Sequence, residues 1–183
     1  MNKEKLLKEA ENFMRNNIPE TRDDPFYFRH VLGARKYAVK LANVYNADIF
    51  VVEMAALLHD VGADAGKGHA KESVEIGRKF LSRLDLPKEI VKKILDCIET
   101  HSTGSSTETL EQQIIQDADG LIFLEDSYII FLKSRKEKFP LEEAKRQTKE
   151  KTNHMVNKVK TEEGKKIAKT LLHKAMEYIE SAS

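Results

Sequence analysis

A chain of 183 residues with 40% hydrophobic side chains is long enough for one well-filled core and short for two, so a single domain over 1–183 is expected. Eight glycines, four prolines and no tryptophan argue against a turn-rich all-β chain or a low-complexity one, and favour an all-α fold. Thirty-one basic against thirty acidic residues leave a net charge of +1, which argues against disorder and against a wholesale nucleic-acid binder.

In chain order, Leu6, Ala10 and Phe13 recur at helical spacing, with Leu7 and Met14 beside them. Asn17 to Pro25, with two prolines, reads as a connecting loop that delivers the chain to Arg29 and His30. His30 is expected to open the next helix, whose stripe is Val31, Ala34, Ala38, Leu41 and Tyr45. Asp48 can cap a third helix that is apolar almost all round, from Val51 to Leu58, as a helix buried inside a bundle must be. It closes at His59 and Asp60. Val61 to Gly68 holds three glycines and reads as a loop leading to His69, and Ile76 and Phe80 mark a helix after it. Pro87 suits a first helical position, and Ile90, Val91, Ile94, Leu95 and Ile98 run up to His101. Ile114, Ile115, Ala118, Leu121 and Ile122 form the stripe of a helix carrying Asp117 and Asp119, and Pro140 marks a later boundary. Residues 133–174 carry fourteen basic and six acidic side chains, which reads as a solvated lysine-rich face, while Ile167, Leu171, Leu172, Ala175 and Ile179 pack a last helix.

The single cysteine, Cys97, allows no internal disulfide, no segment reaches the ~20 apolar residues of a membrane span, and charges interrupt every apolar run at the start of the chain. A soluble cytoplasmic protein without membrane partners is expected.

His30, His59, His69 and His101 fall at helix ends or loop junctions. The pair His59-Asp60 carries the most information, because an imidazole and a carboxylate closing a buried helix need partners, and a cation satisfies both. The order His30, then His59-Asp60 within AALLHDVG, then Asp119 within IIQDADGLIF resembles the H…HD…D signature of the HD-domain superfamily of metal-dependent phosphohydrolases. The likeness covers residues 28–126, with a core over about 26–126, and the tail from Asn153 is similar to the closing helices of small stand-alone members, here 127–183 packed on the core.

That resemblance implies an HD-domain helical bundle in which His30, His59, Asp60 and Asp119 hold a divalent metal. A mixed nitrogen and oxygen donor set suits Mn, Fe, Co, Ni, Zn or Mg rather than a thiophilic ion. Periodicity does not choose the aspartate: at ~100° per residue, Asp117 and Asp119 flank the stripe on opposite sides. The family pattern Ala-Asp-x-Leu selects Asp119 and leaves Asp117 as a carboxylate supporting the ligands. Asp60 is assigned to catalysis as well as to metal binding, and Asp64 is the candidate general base, though a loop carboxylate capping the next turn explains it equally well. Arg29 and Lys67 are candidate phosphate-binding residues. The segments KGHAKESVEIG and IETHSTG resemble the arrangement of dinuclear members, in which His69 and His101 would hold a second ion. Ser102 after His101 departs from the larger phosphodiesterase group, so one ion or two remain open.

The expected function is hydrolysis of a phosphate ester or phosphoanhydride, with a nucleotide or related small phosphorylated compound as substrate. A bound divalent ion brings the pKa of water from ~15.7 toward ~7 and screens the phosphoryl oxygens. The alternative is a catalytically degenerate HD fold acting as a ligand-binding or nucleic-acid-binding module, but none of the four ligand positions is missing, and the balanced charge speaks against nucleic acid. Substrate identity and oligomeric state are not encoded in any motif.

Overall fold

The computed structural model describes residues 2–17, 24–102 and 104–183, and among them it contains helices and no strand. Helix α1 (Lys3–Asn16) is capped by the Asn2 side chain, which accepts from the Lys5 amide at 3.1 Å, and it buries Ala10 and Met14. The expected connecting loop lies mostly outside the described residues. Helix α2 (Asp24–Tyr45) begins earlier than the sequence suggested, so His30 sits within it rather than at its start. The reason is Tyr27, which is buried one turn before Val31 and extends the same stripe through Ala34, Ala38 and Leu41.

Helix α3 (Ile49–Leu58) is the centre of the molecule. Asp48 caps it by accepting from the Phe50 and Val51 amides, and eight of its ten residues are buried, so it is covered on all sides by α1, α2 and later helices. Its one charge, Glu53, is neutralised by Arg35 at 2.8 Å, which also reaches Glu11 of α1 at 3.0 Å.

The expected loop over 61–68 is instead mostly a 3-10 turn (Ala63–Gly68), kinked where Gly66 takes a φ of 58°. Gly62, which precedes it, donates its amide to Ser73 Oγ at 2.9 Å, and a Cβ there would meet the Ser73 backbone nitrogen at 2.4 Å. Only glycine lets this turn lie directly on α4 (His69–Leu81). Helix α5 (Lys88–Thr100) follows Pro87, which stands just before its first position rather than in it and accepts from the Ile90 and Val91 amides, and packs on both α3 and α4.

Helix α6 (Leu110–Ile122) opens with a reciprocal cap between Thr109 and Gln112 and runs through a π turn (Phe123–Ser127) into α7 (Tyr128–Lys136). The extra backbone residue of that turn faces consecutive side chains toward α2. Glu125 engages Lys36 and the Tyr37 hydroxyl, Asp126 engages Arg29, and Ser127 reaches His30. Helices α8 (Leu141–Lys158) and α9 (Glu162–Ser181) close the bundle against α6. Gly120 permits the approach, since a Cβ there would stand 3.0 Å from Val159 and 3.1 Å from the Met155 carbonyl oxygen. No described helix is long and apolar enough to cross a membrane.

Candidate functional site

Four imidazoles and two carboxylates meet where α3, α5 and α6 end, α4 begins and α2 passes by. His59 and His101 are the residues that terminate α3 and α5, and each turns its Nδ1 back to the carbonyl three residues earlier, Ala56 at 2.7 Å and Ile98 at 2.6 Å. His69 does the same with Gly66 at 2.9 Å. A carbonyl only accepts, so these three Nδ1 atoms carry a proton and each ring turns its Nε2 to the interior. His30 Nδ1 is 3.1 Å from Ser127 Oγ, with its Nε2 also turned inward.

The inward atoms form two groups. In one, His30 Nε2 stands 3.3 Å from His59 Nε2 and 3.2 Å from Asp119 Oδ1. In the other, His69 Nε2 and His101 Nε2 are 3.0 Å apart. Asp60 lies between: Oδ2 is 3.6 Å from His30 and 4.0 Å from His59, while Oδ1 is 3.8 Å from His69 and 3.7 Å from His101. Two ring nitrogens facing each other at 3.0 Å need a shared proton or a metal cation between them. Ligand bonds of ~2.0–2.2 Å put neighbouring donor atoms ~3 to 4 Å apart around one ion, which these separations match. The donors therefore fit a divalent metal in each group, with the Asp60 carboxylate shared.

Electrostatics point the same way. Burial pushes His59 down to about 4, and the neighbouring His30 and His101 add to this against the pull of the carboxylates, so it is neutral and able to coordinate at neutral pH. Burial alone would raise Asp60, but positive charge at the His59, His101 and His30 positions around it holds its carboxyl well below the usual range. Asp119 is likewise desolvated, yet Lys158 and His30 keep it ionised.

The centre opens into a cavity of about 570 Å³. Phe26, Tyr27, Phe123 and Phe131 supply an aromatic wall, and Lys151 and Lys158 of α8 supply positive charge. Lys158 is buried with its ammonium on Asp119 Oδ2. Half-buried Lys151 lies 5.8 Å from the Phe123 ring centroid, and burial lowers its pKa.

All six sequence-selected ligands converge here. Arg29, Asp64 and Asp117 stand apart from them. Arg29 is engaged by Asp126 in a two-point contact of 2.5 and 2.7 Å, lies over the Phe26 ring, and does not line the cavity. Asp64 is exposed on the 3-10 turn and is also not among the lining residues, and the side chain of Lys67 lies outside the described residues. Asp117 does not support the ligands. It is fully buried and accepts from Gln113 Nε2 at 2.8 Å, the Lys160 and Thr161 amides at 2.8 and 2.9 Å, and Thr161 Oγ1 at 2.6 Å, which anchors the α8–α9 turn. The basic tail is not simply a solvated face either, since Lys145 and Lys158 are buried. Sequence reasoning missed Lys151 and Lys158, although their spacing of seven, with Met155 between, puts all three on one side of α8.

The HD domain sequence profile matches residues 27–124, more than half of the chain. No curated protein matches the sequence. Among solved structures, Bacillus subtilis YpgQ in complex with ADP is similar with a TM-score of 0.76 and 20% identity, over 98% of this chain and 94% of its own. The Lin1889 protein from Listeria innocua has a TM-score of 0.75 at 23% identity, over 99% and 95%. An HD-superfamily hydrolase from Bacillus thuringiensis has a TM-score of 0.74 at 22% identity, over 97% and 95%. At these identities the likeness shows the fold.

Proposed function

Because the chain belongs to the HD-domain family, we propose that it is a metal-dependent phosphohydrolase acting on a small phosphorylated compound of the nucleotide type. The observation that carries this reading is the Asp60 carboxylate set between two groups of inward-facing imidazole nitrogens at the floor of a cavity. His30, His59 and Asp119 would hold one divalent ion, His69 and His101 a second, and Asp60 would serve both. Such an ion supplies Lewis acidity toward a phosphoryl group and toward water.

The protein's own side chains then account for binding and orientation. Lys151 offers an ammonium to phosphate oxygens at the cavity wall, and the aromatic rings suit the flat face of a base. Carbonyl contacts at Nδ1 fix the ring orientation of His59, His69 and His101 before any ligand arrives, so little reorganisation is needed. Asp64, exposed on the turn that leads into His69, is proposed to take the proton of the attacking water on its way to solvent, and Arg29 and Lys67 to meet parts of a substrate that extend beyond the cavity. ADP bound to YpgQ, a protein of the same fold, supports a nucleotide as the ligand class.

The test is a screen of nucleotides and generic phosphate esters with Mn, Co, Ni and Mg, scoring phosphate against pyrophosphate release. Hydrolysis that needs a divalent ion and stops with chelator supports the assignment. A protein that binds nucleotide yet cleaves nothing under any of these metals would sink it.

A further inference from the structure

Asp119 divides its two oxygens. Oδ1 faces His30 Nε2 at 3.2 Å, while Oδ2 takes the ammonium of Lys158, whose side chain is only 2% exposed. A lysine this buried beside a ligand carboxylate costs desolvation that a neutral side chain would avoid, so its charge calls for an explanation.

We propose that Lys158 is a positioning residue that acts as a resident cation, engaging the outer oxygen of Asp119 so that only Oδ1 is offered to the ion at His30 and His59, and weakening that ion's hold. The proposal rests on the metal-centre reading above. Two physical effects are combined in one side chain. A donor on Oδ2 prevents the carboxylate from chelating through both oxygens, which keeps a coordination position free for substrate. The positive charge opposes the incoming dication across a few ångströms of protein, which favours exchangeable over permanent binding.

The end of α8 does not depend on this contact. Asp117 anchors Lys160 and Thr161 independently, and Val159 packs on Gly120. Replacing Lys158 should therefore leave the fold in place, which far-UV circular dichroism and the Tm can confirm.

The experiment is calorimetric titration of Mn²⁺ into the full chain and into Lys158→Met and Lys158→Gln, with the Mn²⁺ coordination shell read by X-ray absorption. His101→Ala serves as a common background that isolates the first position. Glutamine removes the charge but keeps an N–H donor for Oδ2, whereas methionine removes both. The expected result is binding tighter by about tenfold or more in both variants, with an added oxygen in the shell only for Lys158→Met. Binding that is unchanged or weaker in a folded Lys158→Met protein overturns the role of the lysine while leaving the metal centre intact. A wild-type chain that takes up no Mn²⁺ overturns the metal-centre reading, and this one with it.

Discussion

The ligand-bearing helices α2–α6 and the closing helices α7–α9 build their shares of the cavity by different means. His59, His69 and His101 sit at helix boundaries, each fixed by a bond to a carbonyl three residues back, so their aim is set by the local chain. Lys151 and Lys158 project from the side of α8, and their positions depend on tertiary partners: Lys158 meets Asp119 from 39 residues away. The aim of these three imidazoles is tied to local backbone, while His30, held by Ser127, and the cavity wall are set by packing between helices. The first kind tolerates repacking elsewhere in the bundle, and the second does not.

The sharpest break of that comparison is at Asp60, which belongs to both groups of nitrogens. Asp60→Ala should bring metal-dependent hydrolysis to background and strip metal from both positions, with helical content by circular dichroism unchanged, because no apolar core is removed. Asp119→Asn should fall nearly as far in activity. If metal content and turnover survive Asp60→Ala, Asp60 does not join the two groups of nitrogens in one metal centre.

His101→Ala separates one ion from two. Metal analysis of protein kept from chelators should show two equivalents falling to one if the second group is loaded. One equivalent unaffected by the substitution, with weaker substrate binding, would make His69 and His101 donors to substrate.

The two aspartates of α6 sharpen the contrast between chemistry and architecture. Asp117→Asn places an amide hydrogen among the Lys160 and Thr161 donors and removes a buried charge, so it should cost about 2 to 3 kcal/mol, read as a Tm lower by roughly 4 to 12 °C. Turnover per folded molecule should change far less than in Asp119→Asn. Equal losses of activity in the two variants, without a change in Tm, would restore Asp117 to the ligand set.

Lys151 carries the smallest expected effect. Lys151→Met should raise KM about tenfold, near 1.4 kcal/mol, and leave kcat close to wild type, since the ammonium sits on the wall and not at the centre. A loss confined to kcat would mean that it acts on the reacting phosphoryl group.

Much of the ligand-bearing half was legible because its signals are local. A continuous apolar helix ending in His59-Asp60, and a stripe ending at His101, can be read from neighbours in sequence. Helical phase left Asp117 and Asp119 equivalent, and the family pattern decided between them. The structure shows what phase could not: Asp117 looks toward the α8–α9 turn, with partners 43 and 44 residues distant. The start of α2 lies earlier than its stripe suggests because the burial of Tyr27 shows only once α2 is packed on its neighbours, α6 foremost. Lysines in a basic tail look alike in sequence, and which of them turns inward depends on where Gly120 lets α8 approach.

The π turn at 123–127 has a consequence for how such a protein can diversify. It holds one residue more than an α-helical path needs, so loss of a single codon there would let α6 and α7 run as one regular helix. Everything beyond would rotate by about 100°, carrying Ile130, Phe131 and Ser134 away from the cavity while Asp119, upstream, stays where it is. A one-residue deletion is thus a single genetic step that exchanges one face of the pocket for another without touching the six candidate ligands. The deletion variant should retain its metal content and helical signal but lose its original substrate preference. Loss of bound metal instead would show that the inserted residue serves the centre through Ser127 and His30.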